Sequence, residues 1–460
     1  MLAHLRIPEP ILFLKMTRSV SIRESRPFNS RYFSLNFNLR QWARANMSEY
    51  RSFKDGMYED IEKEVFNGVE MRHYKDRPNN LVELLNTSVD RFSGRTAVVD
   101  NDVRISYGEF HRLCRNLALS LTSLGINKGD RVAILMNNGW EYAVSYYGII
   151  QTGAIAVLLN WRCSGSELEY MLDDSGAKYL LMGGEHWEKL ESISKTKISL
   201  KGIYTTHDHV PGKTECFGDL LEPDFQHASV EFPSIHEADP AAIMYTSGTT
   251  GKPKGALQTH RNCVANAVNV CKVAEIDEND IQIILAPMFH ASGMNAGLTT
   301  CLYAGGSSVI RPSFDPLDAL TQIQEEKITV SGGVATMWWV ILHMTPRSDF
   351  DLTSLNKIIF GGSPVPTELI QQLTTAFPNV RFGNIYGSTE ATSTSSYNTH
   401  EDILRIPEAV GQPLPTIDIK IIDPVSGIPK PHGEVGEICV KGPTVCGGYW
   451  NRPQATQETS

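Results

Sequence analysis

Tyr245-Thr246-Ser247-Gly248-Thr249-Thr250-Gly251-Lys252-Pro253-Lys254-Gly255 packs four Ser/Thr hydroxyls, three glycines and two lysines into one short run. The apolar residues Ala241-Ala242-Ile243-Met244 before it predict a buried strand. Ala256-Leu257-Gln258-Thr259-His260 after it is strand-like as well, and a helical segment follows. A hydroxyl-rich turn between two strands suits a polyphosphate. Glycines let backbone N–H groups come close to oxygens, Ser and Thr donate hydrogen bonds, and a lysine neutralises charge. The spacing is not that of a Walker A loop, Gly-x-x-x-x-Gly-Lys-Ser/Thr running into a helix. Only two residues separate Gly248 from Gly251, and Pro253 follows Lys252. Taken alone, a loop of this composition also fits an ordinary surface turn.

Further stretches of the same character lie downstream. Gly383-Asn384-Ile385-Tyr386-Gly387-Ser388-Thr389-Glu390 places an aromatic ring, a glycine, hydroxyls and a carboxylate on one turn after a short strand. Such a ring can stack on a purine, a hydroxyl can donate to phosphate, and a carboxylate can hold magnesium between phosphates. Gly361-Gly362-Ser363-Pro364-Val365 follows the predicted strand Lys357-Phe360, and open α/β sheets place ligands at the carboxyl ends of strands. It also fits a plain strand-to-helix turn before Pro366. His290, in Ala286-Pro287-Met288-Phe289-His290-Ala291-Ser292-Gly293, follows another predicted strand and is either structural or functional. Gly332 and Gly333 are candidates for lining a channel, whereas Trp338 and Trp339 read as helix core.

Twelve consecutive positions, Ile243 to Lys254, match the signature loop of the adenylate-forming enzymes, and the chain from about residue 80 onward resembles that superfamily, in particular its acyl-CoA synthetases. The resemblance implies an ATP-dependent acid–thiol ligase. A carboxylate attacks the α-phosphate of ATP, and the thiol of coenzyme A then displaces AMP. It implies that Thr246, Ser247, Thr249 and Lys254 hold the β- and γ-phosphates, with Gly248, Thr250 and Gly251 in the same cradle. It implies further that Gly361, Gly362, Ser363 and Pro364 form the adenine-side turn, that Tyr386 stacks on the base, that Gly387 and Ser388 complete that turn, and that Thr389 touches the α-phosphate. The same resemblance implies that Glu390 binds magnesium and that His290 is the gate beside the acyl carboxylate. Thr246, Lys254, His290 and Glu390 are therefore the expected catalytic set. Ala335 stands where the family usually has proline. A luciferase-like adenylating oxidase and a nucleotide-binding protein without turnover are the competing readings.

Around these motifs the pattern is α/β. Strands alternate with helices from residue 80 to about 240 and again from 241 to about 400, which predicts two subdomains with parallel sheets covered on both faces. From 401 to 460 alternating strands and Pro/Gly turns predict a small β-rich subdomain. Residues 47–79 read as a helix and linker. Residues 1–46 carry eight basic residues against two acidic ones and are rich in Ser, the composition of an organelle transit peptide. That predicts a mitochondrial matrix location, or a cytoplasmic or peroxisomal one if the leader does not act. The family's large domain is followed by a Thr-Gly-Asp segment, a hinge and a small lysine-bearing lid, and the chain reads as ending at Ser460 short of them.

The net charge of −10 argues against a nucleic-acid partner. No run of eighteen apolar residues predicts a membrane span. The eight cysteines contain no Cys-x-x-Cys pair and read as incidental thiols rather than a zinc site or disulfide frame.

Overall fold

The computed structural model describes residues 2–5, 53, 57–66, 68–193, 198–207, 210–222, 231–246 and 252–459. Two large sheets organise them. The first runs in the spatial order Glu215–Cys216, Gly202–Thr205, Tyr179–Met182, Arg131–Leu135, Ile155–Leu158, Pro240–Thr246, Lys254–Thr259. All its neighbours are parallel except the last pair, an antiparallel hairpin. The second runs Gln412–Pro413, Ser396–Asn398, Arg381–Tyr386, Lys357–Gly361, Val330–Gly333, Ile281–Ile284, Ser307–Ile310, Thr96–Asp100, Val103–Ser106, with a parallel centre and antiparallel edges. Parallel strands must be buried on both faces. Val132, Ala133, Ile134 and Leu135 accordingly form an unbroken apolar run with no exposure.

The helices between the sheets follow from the apolar spacing. In Tyr107–Ser123 the buried residues Phe110, Cys114, Leu117 and Leu121 recur every three or four positions, and the Ser106 side chain accepts from Glu109 N to cap the first turn. This helix packs on Trp140–Gln151, which is buried almost all round. At their contact a Cβ on Gly148 would lie 2.7 Å from Leu117 Cδ2, so only glycine permits the approach.

Two expectations are corrected, and the expected β-rich subdomain is found with one strand more. The division of the chain at 240/241 does not coincide with the division between sheets. Thr96–Ser106 belongs to the second sheet because Val98 and Val99 pair in parallel with Ser308 and Val309. The hairpin 240–259 closes the first sheet because Ala242–Met244 pair with Ala156–Leu158. Residues 61–74 are not a helix but a β-hairpin, Ile61–Phe66 against Val69–Tyr74, turning at Gly68. The β-rich subdomain is a three-stranded antiparallel sheet of Asp418–Ile422, Glu437–Lys441 and Leu2–Leu5. Four residues of the basic leader are thus a strand, and the leader's remaining residues lie outside those described. No described helix is long and apolar enough to cross a membrane.

Through Glu64 the hairpin 61–74 joins an ion-pair cluster that includes Arg261, in the first turn of the helix His260–Val273. Arg261 pairs with Glu64 and with Glu237 at 3.2 Å, and Arg77 pairs with Glu237 at 2.7 Å. Beside this cluster His260 has no exposed surface, and its Nδ1 accepts from Leu81 N at 3.3 Å. Burial is the main cause that pushes its pKa down to about 4. The unfolded imidazole titrates near 6.5, so between these values the unfolded chain binds the extra proton. Stability is therefore full above pH 6.5 and falls as the pH drops towards 4. His260 is expected to cost about 2 kcal/mol by pH 5. His260→Gln should flatten the urea midpoint between pH 7 and 5; an unchanged slope would contradict this.

Candidate active site

Thr246 and Lys254 lie opposite each other where the hairpin of the first sheet opens, and Thr246 Oγ1 donates to Lys254 O at 3.3 Å. Ser247, Gly248, Thr249, Thr250 and Gly251, expected to cradle phosphate, fall outside the described residues. The far end of this loop is set by Tyr170, whose hydroxyl donates to Pro253 O at 3.1 Å while Lys252 Nζ lies 4.9 Å from the centre of its ring.

Lys254 Nζ lies 5.2 Å from the centre of the Tyr449 ring, a cation–π distance. The Tyr449 hydroxyl donates to Glu390 Oε1 at 2.7 Å. Lys254 and Glu390 therefore face one shared aromatic side chain. Burial, and then Glu390, raises the Tyr449 pKa, so the phenol keeps the proton it donates. The residues around Tyr449 reach this place by extending the sheet. Gly447 N donates to Leu257 O, Leu257 N to Gly448 O, and Trp450 N to Gly255 O, at 2.9, 2.9 and 2.7 Å. That covers the outer edge of Lys254–Thr259, which would otherwise present unpaired backbone groups. Trp450 Nε1 and Arg452 then both bond Asp174, at 3.0 and 2.7 Å, fixing the segment to the helix Gly165–Ser175.

Glu390 sits on a tightly constrained turn. Strand Arg381–Tyr386 ends at Gly387, where a Cβ would collide with the Ser393 carbonyl. Ser388 caps the short turn Thr389–Ala391 by accepting from Ala391 N at 3.3 Å. Thr392 and Ser393 follow with φ of +54° and +97°, a left-handed backbone that costs non-glycine residues energy and is concentrated at functional turns. The Tyr386 ring is only 7% exposed, in a core cluster with Ile359 and Tyr397. Its hydroxyl has no partner among the described residues. Stacking on a base therefore requires one face of that ring to be uncovered. Gly361 pairs with Ile385 on the neighbouring strand, so the turn 361–364 adjoins Tyr386 at the carboxyl end of the sheet. Within that turn Gly362 has φ +72°, Pro364 is exposed, and the buried Ser363 hydroxyl has no partner among the described residues.

His290 keeps exposed surface, with its ring 4.5 Å from that of Phe289, which in turn meets Trp161 edge-on at 6.3 Å. Partial burial, then the Arg162 guanidinium, pushes its pKa below the usual value, which favours the neutral ring at pH 7. Its carbonyl accepts from Met294 N at 3.0 Å at the start of the π-helical stretch Ser292–Thr299, a wide-turned geometry that recurs at functional sites. Gly332 and Gly333 end the adjoining strand. Trp338 is buried as expected, but Trp339 is 47% exposed and stacks on His343, so it is not core.

Among the described residues no group of three or more His, Cys, Asp or Glu gathers to hold a metal. A cation here would have Glu390 as its protein carboxylate and phosphate oxygens for other ligands, an arrangement magnesium favours. All eight cysteines are free thiols.

A lysine from the first sheet and a carboxylate from the turn that follows a strand of the second are thus brought to one aromatic side chain. Residues 85–450 match the AMP-binding enzyme family, and the chain belongs to it. Feruloyl-CoA synthase of Amycolatopsis sp is 33% identical over 363 residues, spanning 79% of this chain and 70% of that protein. The long-chain-fatty-acid–CoA ligase FadD13 of Mycobacterium tuberculosis is 31% identical over 362 residues, spanning 78% and 69%. The solved N-terminal domain of FACL13 from Mycobacterium tuberculosis superposes with a TM-score of 0.73 at 27% identity, covering 82% of this chain and 93% of that one. The architecture is that of the N-terminal domain of adenylate-forming enzymes. Its class is the AMP-forming acid–thiol ligases, with ATP and coenzyme A as substrates.

Proposed function

We propose that this chain activates a fatty acid with ATP, giving acyl-AMP and pyrophosphate, and passes the acyl group to coenzyme A. The observation that carries the nucleotide half is the meeting of Lys254 and Glu390 at Tyr449. In this reading Thr246, Ser247, Thr249 and Lys254 take the β- and γ-phosphates, and Gly248, Thr250 and Gly251 bring backbone close to them. The turn Gly361–Pro364 and Tyr386 take the adenine, and Thr389 meets the α-phosphate. Glu390 holds magnesium, which supplies positive charge to the phosphate oxygens when bound. His290 gates the acyl entrance beside Phe289. It has no base to supply, because a carboxylic acid is already ionised at neutral pH.

The fatty substrate is supported by the similarity to FadD13. The feruloyl-CoA synthase similarity favours an aromatic acid instead. Acid-dependent exchange of pyrophosphate into ATP separates the two. Exchange should be faster with saturated fatty acids than with hydroxycinnamates. Faster exchange with hydroxycinnamates would reassign the substrate, and no exchange with any carboxylate would overturn the activity. We also propose mitochondrial import from the basic, Ser-rich composition of residues 1–46. A fluorescent protein fused to those residues and left outside mitochondria would reject it.

A further inference from the structure

We infer that Gln258 is a positioning residue whose carboxamide ties the acyl side of the site to its nucleotide side, an inference that rests on the nucleotide reading above. Gln258 lies on strand Lys254–Thr259, and residues two and four apart on a strand share a face, so it points the same way as Lys254. It has no exposed surface. Its Nε2 donates to Thr389 O at 3.1 Å, and its Oε1 accepts from Asn295 Nδ2 at 2.9 Å, with the Cys263 thiol 3.9 Å from the same oxygen. Asn295 is also fully buried and belongs to the π-helical stretch that begins just after His290. One side chain thus spans three motifs: the strand of the phosphate lysine, the turn of the magnesium carboxylate, and the segment of the acyl gate.

Packing alone does not call for glutamine here. A leucine or methionine would fill a buried strand position, whereas an amide must give up its water and is offset only by hydrogen bonds at both ends. The turn it holds needs holding, because Thr392 and Ser393 keep it in a strained backbone. Two other anchors, Cys446 N to Glu390 O at 2.8 Å and Thr394 N to Asn266 Oδ1 at 3.1 Å, fix the same turn. Gln258 adds the contact that leads on to Asn295. Around it, Asn295 Oδ1, Asn266 Nδ2, Thr392 Oγ1 and Thr394 Oγ1 are buried without partners among the described residues. The seam is polar throughout, and its order depends on the few hydrogen bonds it makes.

The test is calorimetric titration of the full chain with magnesium and ATP, alongside thermal melting. Gln258→Met, which keeps the volume and loses both hydrogen bonds, should weaken ATP binding about tenfold and also lower the melting temperature modestly, because Thr389 O and Asn295 Nδ2 lose their buried partner. Asn295→Ala breaks the link from the acyl side only. It should weaken ATP binding a few-fold in the unsubstituted background and have no further effect in Gln258→Met. Unchanged ATP affinity in Gln258→Met, or strictly additive losses in the pair, overturns the inference while leaving the nucleotide site standing. Should Gln258→Met not fold, Asn295→Ala alone decides, and unchanged ATP affinity there is equally fatal. If the unsubstituted chain binds no ATP, the nucleotide reading falls and takes this inference with it.

Discussion

Glu390→Gln is expected to slow carboxylate-dependent exchange of pyrophosphate into ATP by about two to three orders of magnitude, the usual cost of removing one preorganised electrostatic group from a reacting centre. The substitution is close to isosteric. Its amide oxygen can still accept the Tyr449 hydroxyl, which now lies 2.7 Å from Oε1. The backbone anchor from Cys446 N to the carbonyl of residue 390 is untouched. The turn should therefore keep its shape and the melting temperature should barely move, so that the lost negative charge accounts for the lost rate. Raising magnesium should recover part of the exchange, because a weakened cation site is refilled by mass action. A loss of less than tenfold, or one that magnesium leaves unchanged, would remove Glu390 from the metal-binding role.

The parts of this site that sequence alone reveals are those in which chemistry and backbone conformation are written on consecutive residues. Gly387 and Gly362 mark turns where a Cβ is excluded or φ is positive, and the hydroxyls and carboxylate sit beside them. Lys254 and Glu390 could be named for the same reason. Tyr449 could not be given a role, because its position comes from Gly447–Trp450 adding to the edge of Lys254–Thr259, a pairing between segments far apart in the chain. Gln258 was hidden by its strand: the local pattern marks 256–260 only as strand-like, and its partners Thr389 and Asn295 lie far off in the chain. The exchange of hairpins between the two sheets was hidden likewise, since alternation of strands and helices says nothing about which sheet a strand joins. The hairpin 61–74 escaped because Glu62, Lys63, Glu64, Glu70 and Arg72 dilute the period-two apolar signal. Its stability comes from burial of Met71, His73 and Tyr74 and from ion pairs to distant residues, which no local window contains.

Those ion pairs carry the second large effect. Glu237→Ala is expected to destabilise the fold by about 3 kcal/mol, the cost of breaking one side of a buried ion pair. The Arg261 side chain is 2% exposed and Arg77 8%, against about a quarter for Glu64 and Glu237. Four charges, two of each sign, balance in this cluster. Without Glu237 two buried guanidinium groups share Glu64 alone, and Arg77 lies 3.8 Å from it. Arginine cannot relieve this by losing its proton. Arg261→Met in the Glu237→Ala background removes the surplus charge. Its unbranched side chain can still pack on Phe66, whose ring centre the guanidinium now approaches at 4.2 Å. The double variant should therefore be more stable than Glu237→Ala by itself, a reversal that loss of packing cannot produce. Urea unfolding midpoints of the two variants decide the matter: if the double variant unfolds earlier than Glu237→Ala, charge balance is not what holds the hairpin to the helix His260–Val273.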